Sequence, residues 1–142
     1  MVGGQALDMA GEGRALDREE LELLQSLKTG ALISTAAVLG CIAAGATPER
    51  LAQVRTYAQA LGRAFQVRDD MLDVESTEEE LGKPIGSDAG NGKTTFATLY
   101  GLEECARLVA EHTRLAKESV AGAFEDAAFL CELADWLAER KH

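Results

Sequence analysis

Phe65-Gln66-Val67-Arg68-Asp69-Asp70-Met71-Leu72-Asp73 is the stretch whose reading decides the fold. Upstream of it, Thr47-Pro48 is a helix start, because a threonine hydroxyl caps free N–H groups and proline has no N–H to leave unpaired. Leu51, Val54, Ala58, Leu61, Phe65 and Leu72 then recur at three- and four-residue steps, the period of a helix with one apolar stripe. Asp69 and Asp73 are four apart and Asp70 and Asp73 three apart, so the carboxylates are neighbours on one face. Gln66 precedes Asp69 by three. At about 100° per residue this polar set lies beside the stripe rather than opposite it, and Gly62 leaves room one turn earlier. Clustered carboxylates resist ionising together. A hard divalent cation relieves that, and Mg²⁺ takes one or two carboxylates while sharing its sphere with water and phosphate oxygens. The spacing predicts a metal site open to a phosphorylated ligand; the plainer reading is a solvated acidic patch.

The composition agrees with helices. Hydrophobic residues make up 46% of the 142 residues but aromatics only 5%, and strands favour β-branched and aromatic side chains. We therefore expect an all-α fold, with residues 1–142 part of a single domain. Net charge is −10, which argues against nucleic acid or an anionic membrane as partner. Any phosphate has to be held through metal ions or a few placed cations. Cys41, Cys105 and Cys131 are scattered, as free thiols in a reducing compartment are. No signal peptide is visible. Residues 31–46 are apolar but shorter than the roughly 20 residues of a span and include Ser34 and Thr35. The expectation is a cytoplasmic protein with no membrane span.

The remaining segments supply candidate partners for the acidic cluster. Met1-Val2-Gly3-Gly4-Gln5 opens without a capping signal, as though inside a helix, and Gln5 and Asp8 read as polar surface. Asp17 with Glu20 is a capping-box start. A helix from Arg18 to about Ala44 follows, with Leu21, Leu24, Leu27, Ala31, Leu32, Val38, Leu39 and Ile42 as its apolar face. Lys28 falls on that face. An unpaired buried ammonium is costly, so Lys28 either snorkels to the surface or points into a cavity holding an anion. Gly30 weakens the helix by about 1 kcal/mol relative to Ala and permits a bend. Residues 76–93 are irregular, with Thr77 and Glu80 capping one turn before a glycine-rich loop that carries Lys83 and Lys93. It reads as a phosphate-binding loop or as plain surface loop. It is not a P-loop, since Ser87 stands where that motif needs glycine and no strand precedes it. A helix resumes at Thr94 or Thr95 with a break at Gly101, runs to about Ala121, and is followed by a short helix through Phe129, Leu133 and Trp136.

These residues carry a resemblance. Gly3-Gly4-Gln5 with Asp8, Lys28-Thr29, Phe65-Gln66 with Asp69, Asp70 and Asp73, and Gly82-Lys83, Asp88 and Gly92-Lys93 stand in the order and spacing of motifs in the C-terminal half of trans-isoprenyl diphosphate synthases, and the chain resembles the bacterial farnesyl and geranylgeranyl type. The resemblance covers essentially the whole chain. It implies an all-α isoprenoid-synthase bundle. It also implies Mg²⁺-dependent ionisation of an allylic diphosphate, followed by head-to-tail attack of isopentenyl diphosphate. By resemblance, Asp69, Asp70 and Asp73 hold one Mg²⁺, with Asp88 as an outer partner. Lys28, Lys83 and Lys93 bind the leaving diphosphate, and Thr29 and Gln66 face the developing cation. The family's first aspartate-rich motif belongs to its N-terminal half, so the chain alone is expected to be inactive. Exposed faces that would pack on that half are expected to drive a homodimer or higher oligomer. The alternative from another class is a non-catalytic helical partner of a full-length synthase. A terpene cyclase of the same fold suits the three lysines less well.

Overall fold

A computed structural model describes residues 1–11, 13–75 and 93–141. Lys83, Asp88, Gly82, Gly92 and the Thr77–Glu80 cap lie outside the described residues. Within them the regular structure is helical, apart from an isolated bridge between Ala121 and Phe124. The helices are α1 (Val2–Ala10), α2 (Arg18–Gln25), a π turn (Ser26–Gly30), α3 (Ala31–Ala43), α4 (Pro48–Glu75), α5 (Phe96–Val120) and α6 (Ala128–Glu139).

The helix starts follow from local chemistry. Asp17 accepts the Glu20 N–H at 2.9 Å while Glu20 accepts the Asp17 N–H at 3.1 Å, closing the box over α2. Thr47 accepts the Arg50 N–H ahead of α4. Thr95 and Thr98 cap α5 in the same reciprocal way. Gly101, at φ 77°, kinks α5 in a conformation that costs glycine little.

α4 is the central helix. One apolar stripe was expected; burial extends over two sides, because small residues let neighbours approach all round. Tyr57, Ala58, Ala60 and Leu61 pack with Ala116, Val120 and Ala134 toward one end, and Val67 and Met71 pack with Leu21, Phe96, Cys105 and Val109 toward the other. The Tyr57 hydroxyl donates to the Leu130 carbonyl at 2.8 Å, and burial pushes its pKa up to about 12.

The expected apolar face of the Arg18–Ala44 helix needs correction beyond Leu24. Leu21, Leu24 and Val38 are buried as expected, but Leu27, Leu32, Leu39 and Ile42 are exposed. The cause is the π turn, which inserts an extra residue per turn and rotates the later register, so that Ile33 and Ala37 pack on the α4 core instead. Counted through this turn, Arg18–Ala43 is one helix of 26 residues, long and apolar enough by length and composition to cross a membrane. The argument from the shortness of 31–46 therefore does not stand. Along this stretch Ile33 and Ala37 lie against the α4 core and Lys28 pairs with Asp8, while only 6% of its apolar window is buried.

Candidate functional site

Two close backbone approaches build the cleft. Gly4 of α1 lies against the π turn so tightly that a Cβ there would sit 2.3 Å from the Lys28 backbone nitrogen. Gly62 of α4 meets the same turn from the other side, where its Cβ would come 3.3 Å from the Gly30 Cα. The π turn is thus gripped between two helices, and its consecutive residues Lys28 and Thr29 both face the space between them.

Each makes a specific contact. Asp8, one turn after Gly4, accepts from Lys28 Nζ at 2.6 Å, and Lys93 Nζ lies 3.9 Å from the same Oδ2. Thr29 Oγ1 donates to Gln66 Oε1 at 2.9 Å, and Gln66 Nε2 donates to Asp70 Oδ1 at 2.9 Å. Asp8, Lys28, Thr29, Gln66, Asp69 and Lys93 line one cleft of about 240 Å³, with Asp70 in its floor. Lys28 is one third exposed there, so it reaches the cavity rather than snorkelling away from it.

The three aspartates do not converge. Asp69 is half exposed on the cleft. Asp70 is 3% exposed and Asp73 4%. Asp70 turns inward, where its Oδ2 accepts the Phe96 N–H at 2.7 Å. Phe96 begins α5, so this carboxylate meets the positive end of a helix. The shared face read from the spacing is therefore divided by what packs on α4. Among the described residues no three Asp, Glu, His or Cys side chains form a metal cage. The donor set fits a hard ion such as Mg²⁺ that keeps most of its sphere for water and phosphate oxygens, with Asp69 as the carboxylate presented to it.

Taken by itself Asp8 reads as polar surface, while the resemblance places it in one motif with Gly3-Gly4-Gln5; its contact with Lys28 was not expected. Arg140 was not singled out in the sequence. Arg140 follows α6; its Nη2 meets Asp69 Oδ1 at 2.7 Å and its guanidinium lies 4.0 Å above the Phe65 ring. Nothing in the sequence pointed to a contact spanning 71 positions.

The polyprenyl synthetase family profile matches residues 1–128. The farnesyl diphosphate synthase of Bacillus subtilis (strain 168) is 39% identical over 142 residues, covering 100% of this chain and 48% of that protein. A chloroplastic geranylgeranyl pyrophosphate synthase of Arabidopsis thaliana is 42% identical over 145 residues, covering 99% and 40%. The chain thus spans about half the length, or less, of these curated relatives. A geranyltransferase from Helicobacter pylori, solved with magnesium and isoprenyl diphosphate, superposes with a TM-score of 0.78 at 31% identity, covering 96% of this chain and 45% of its own. Heptaprenyl diphosphate synthase from Staphylococcus aureus superposes at 0.94 over 99% of this chain and 56% of its own, with 19% identity, a likeness of fold.

Proposed function

This chain belongs to the polyprenyl synthetase family, and on that premise we propose that it supplies the second-aspartate half of a prenyltransferase joining an allylic diphosphate to isopentenyl diphosphate. The observation that carries the proposal is one cleft lined by Lys28, Thr29, Gln66, Asp69 and Lys93. Mg²⁺, when bound, neutralises diphosphate charge and polarises the breaking carbon–oxygen bond.

The chain's own residues have separate tasks. Asp69 presents its carboxylate to the metal. Lys28 and Lys93 take the leaving diphosphate in place of Asp8, and fixed cations aimed at charge that develops on ionisation lower the barrier. Lys83 joins them on the strength of the resemblance. Thr29 and Gln66 direct oxygen atoms toward the allylic end. Asp70 braces Gln66 and the start of α5 while lining the same cleft. The other half of the site, including a second acidic motif, comes from the remainder of a full-length synthase domain. Leu32, Leu39 and Ile42, exposed along α3, suit burial against that remainder or in a homodimer or higher oligomer. The three free cysteines suit a cytoplasmic enzyme.

The test is calorimetric titration of the chain with an isoprenyl diphosphate, with and without Mg²⁺. Binding that requires Mg²⁺ and is lost in D69N and K28M supports the proposal. Binding indifferent to Mg²⁺ and to both variants overturns it. Turnover of dimethylallyl and isopentenyl diphosphates by the chain alone would overturn the need for another half.

A further inference from the structure

We propose that Arg140 is a built-in counter-ion for Asp69, occupying its carboxylate until a divalent metal displaces it. The inference rests on Asp69 being the metal-facing carboxylate. Its own basis is the clasp that three residues of α4 make around Arg140. Asp69 Oδ1 accepts from Nη2 at 2.7 Å, and the Phe65 carbonyl accepts from the same nitrogen at 3.5 Å. The Phe65 ring lies beneath the guanidinium at 4.0 Å. Arg68 Nε donates to the Arg140 carbonyl at 3.1 Å, and Arg68 is itself held by Glu75 at 3.1 Å. Arg140 is only 14% exposed in its side chain while Asp69 is 50% exposed. The cation is thus tucked against α4, and the carboxylate it neutralises still opens on the cleft.

The charge pattern explains the clasp. Asp69, Asp70 and Asp73 concentrate carboxyl groups within five residues of α4, and Asp69 is the one half exposed on the cleft. A planar guanidinium can neutralise that carboxylate without a metal. A metal taken up by this carboxylate, on either oxygen, would lie within a few ångström of the guanidinium, and two cations at that separation repel. Metal entry therefore works against the Arg140 contact. Affinity for the metal is reduced by the fraction of molecules in which the clasp is shut. Arg140 lies past the last residue of α6, Glu139, so the clasp can open without unwinding a helix. It acts on the site through Asp69 and is a positioning residue.

Mn²⁺ binding to the full chain, read by electron paramagnetic resonance in the presence of inorganic pyrophosphate, tests this. R140Q should bind Mn²⁺ about three- to tenfold more tightly than the unaltered chain, the range for losing an ion pair and a cation–π stack. K141Q removes the same charge one residue on and should change affinity by less than about twofold. R140K, which keeps the charge but loses the planar fork, should fall between. Trypsin cleavage after Arg140 gives a second readout: slow in the unaltered chain, faster once Mn²⁺ and pyrophosphate are added, and fast in D69N with or without metal. If D69N abolishes Mn²⁺ binding but R140Q and the unaltered chain bind alike, the counter-ion role is wrong and Asp69 remains the metal ligand. If metal loads without changing the cleavage rate, the displacement is wrong in the same way. If D69N binds Mn²⁺ as the unaltered chain does, or no variant binds it, Asp69 is not the metal carboxylate and both proposals fall.

Discussion

Asp70→Ala is expected to destabilise the chain far more than Asp69→Ala, although the two residues are neighbours in one motif. Asp70 is 3% exposed. Its two oxygens accept the Phe96 N–H at 2.7 Å and Gln66 Nε2 at 2.9 Å. Truncation leaves both donors facing a void and removes a negative charge from the start of α5. A hydrogen bond to a charged group contributes about 1.5–3 kcal/mol, and a stranded buried donor costs about 1–3 kcal/mol. A charge at a partly buried helix end adds up to about 2 kcal/mol. These effects overlap, so about 3–5 kcal/mol is expected for the whole change. Asp69 is half exposed where it meets Arg140, and a pair whose carboxylate is open to water contributes about 0–1 kcal/mol. For a chain of this size each kcal/mol lowers the thermal midpoint by about 3–5 °C. D70A should therefore melt about 10–25 °C below the unaltered chain and D69A less than about 5 °C below it. Far-ultraviolet circular dichroism during heating reads both. Midpoints for the two variants that coincide, or a lower one for D69A, would refute the division of the motif into an outward and an inward carboxylate.

Other expectations are as specific. Gly4→Ala drives a Cβ into the Lys28 backbone and should cost about 1–3 kcal/mol as overpacking, read from the urea midpoint. The Cys105 thiol is pushed up to about 11, first by burial and then by the Asp70 and Glu104 charges. Ellman's reagent at mildly alkaline pH should thus modify the half-buried Cys41 and Cys131 readily and Cys105 only in denaturant; fast reaction of all three would contradict the burial. His112 is held below its ordinary pKa by burial and then by the Arg63 charge, against opposing pulls from Glu111 and Glu22. The unfolded chain takes up that proton near pH ~6.5 while the folded chain does not. Stability should consequently fall as pH drops through that value, by at most about 1.4 kcal/mol per unit. H112Q should flatten the slope of urea midpoints over this range, and an unchanged slope would count against it.

The parts of the molecule that were legible in the sequence are those set by local chemistry. Asp17 with Glu20, Thr47-Pro48 and Gly101 mark boundaries because caps and kinks need particular residues within one turn. Lys28 was legible as an exception, a cation on an apolar face that had either to snorkel or to meet an anion; which of the two holds depends on Asp8 of α1, 20 positions away. The π turn was not legible, because Ser26–Gly30 has no composition that separates it from α-helix. Gly4 and Gly62 approach it from two sides, contacts between segments far apart in the chain. Asp70 was indistinguishable from Asp69 because its inward turn depends on where α5 begins, across a long connection. Arg140 was invisible for the same reason: a clasp between distant segments has no periodicity.

The most direct measurement joins the chain to the remaining half of a curated relative and follows prenyl transfer from an allylic diphosphate to isopentenyl diphosphate. The expected result is Mg²⁺-dependent turnover that D69N and K28M each lower by about a hundred- to a thousandfold, with K141Q leaving it intact. Turnover that proceeds equally well in D69N and K28M, or without Mg²⁺, would show that this cleft does not hold the metal and the diphosphate.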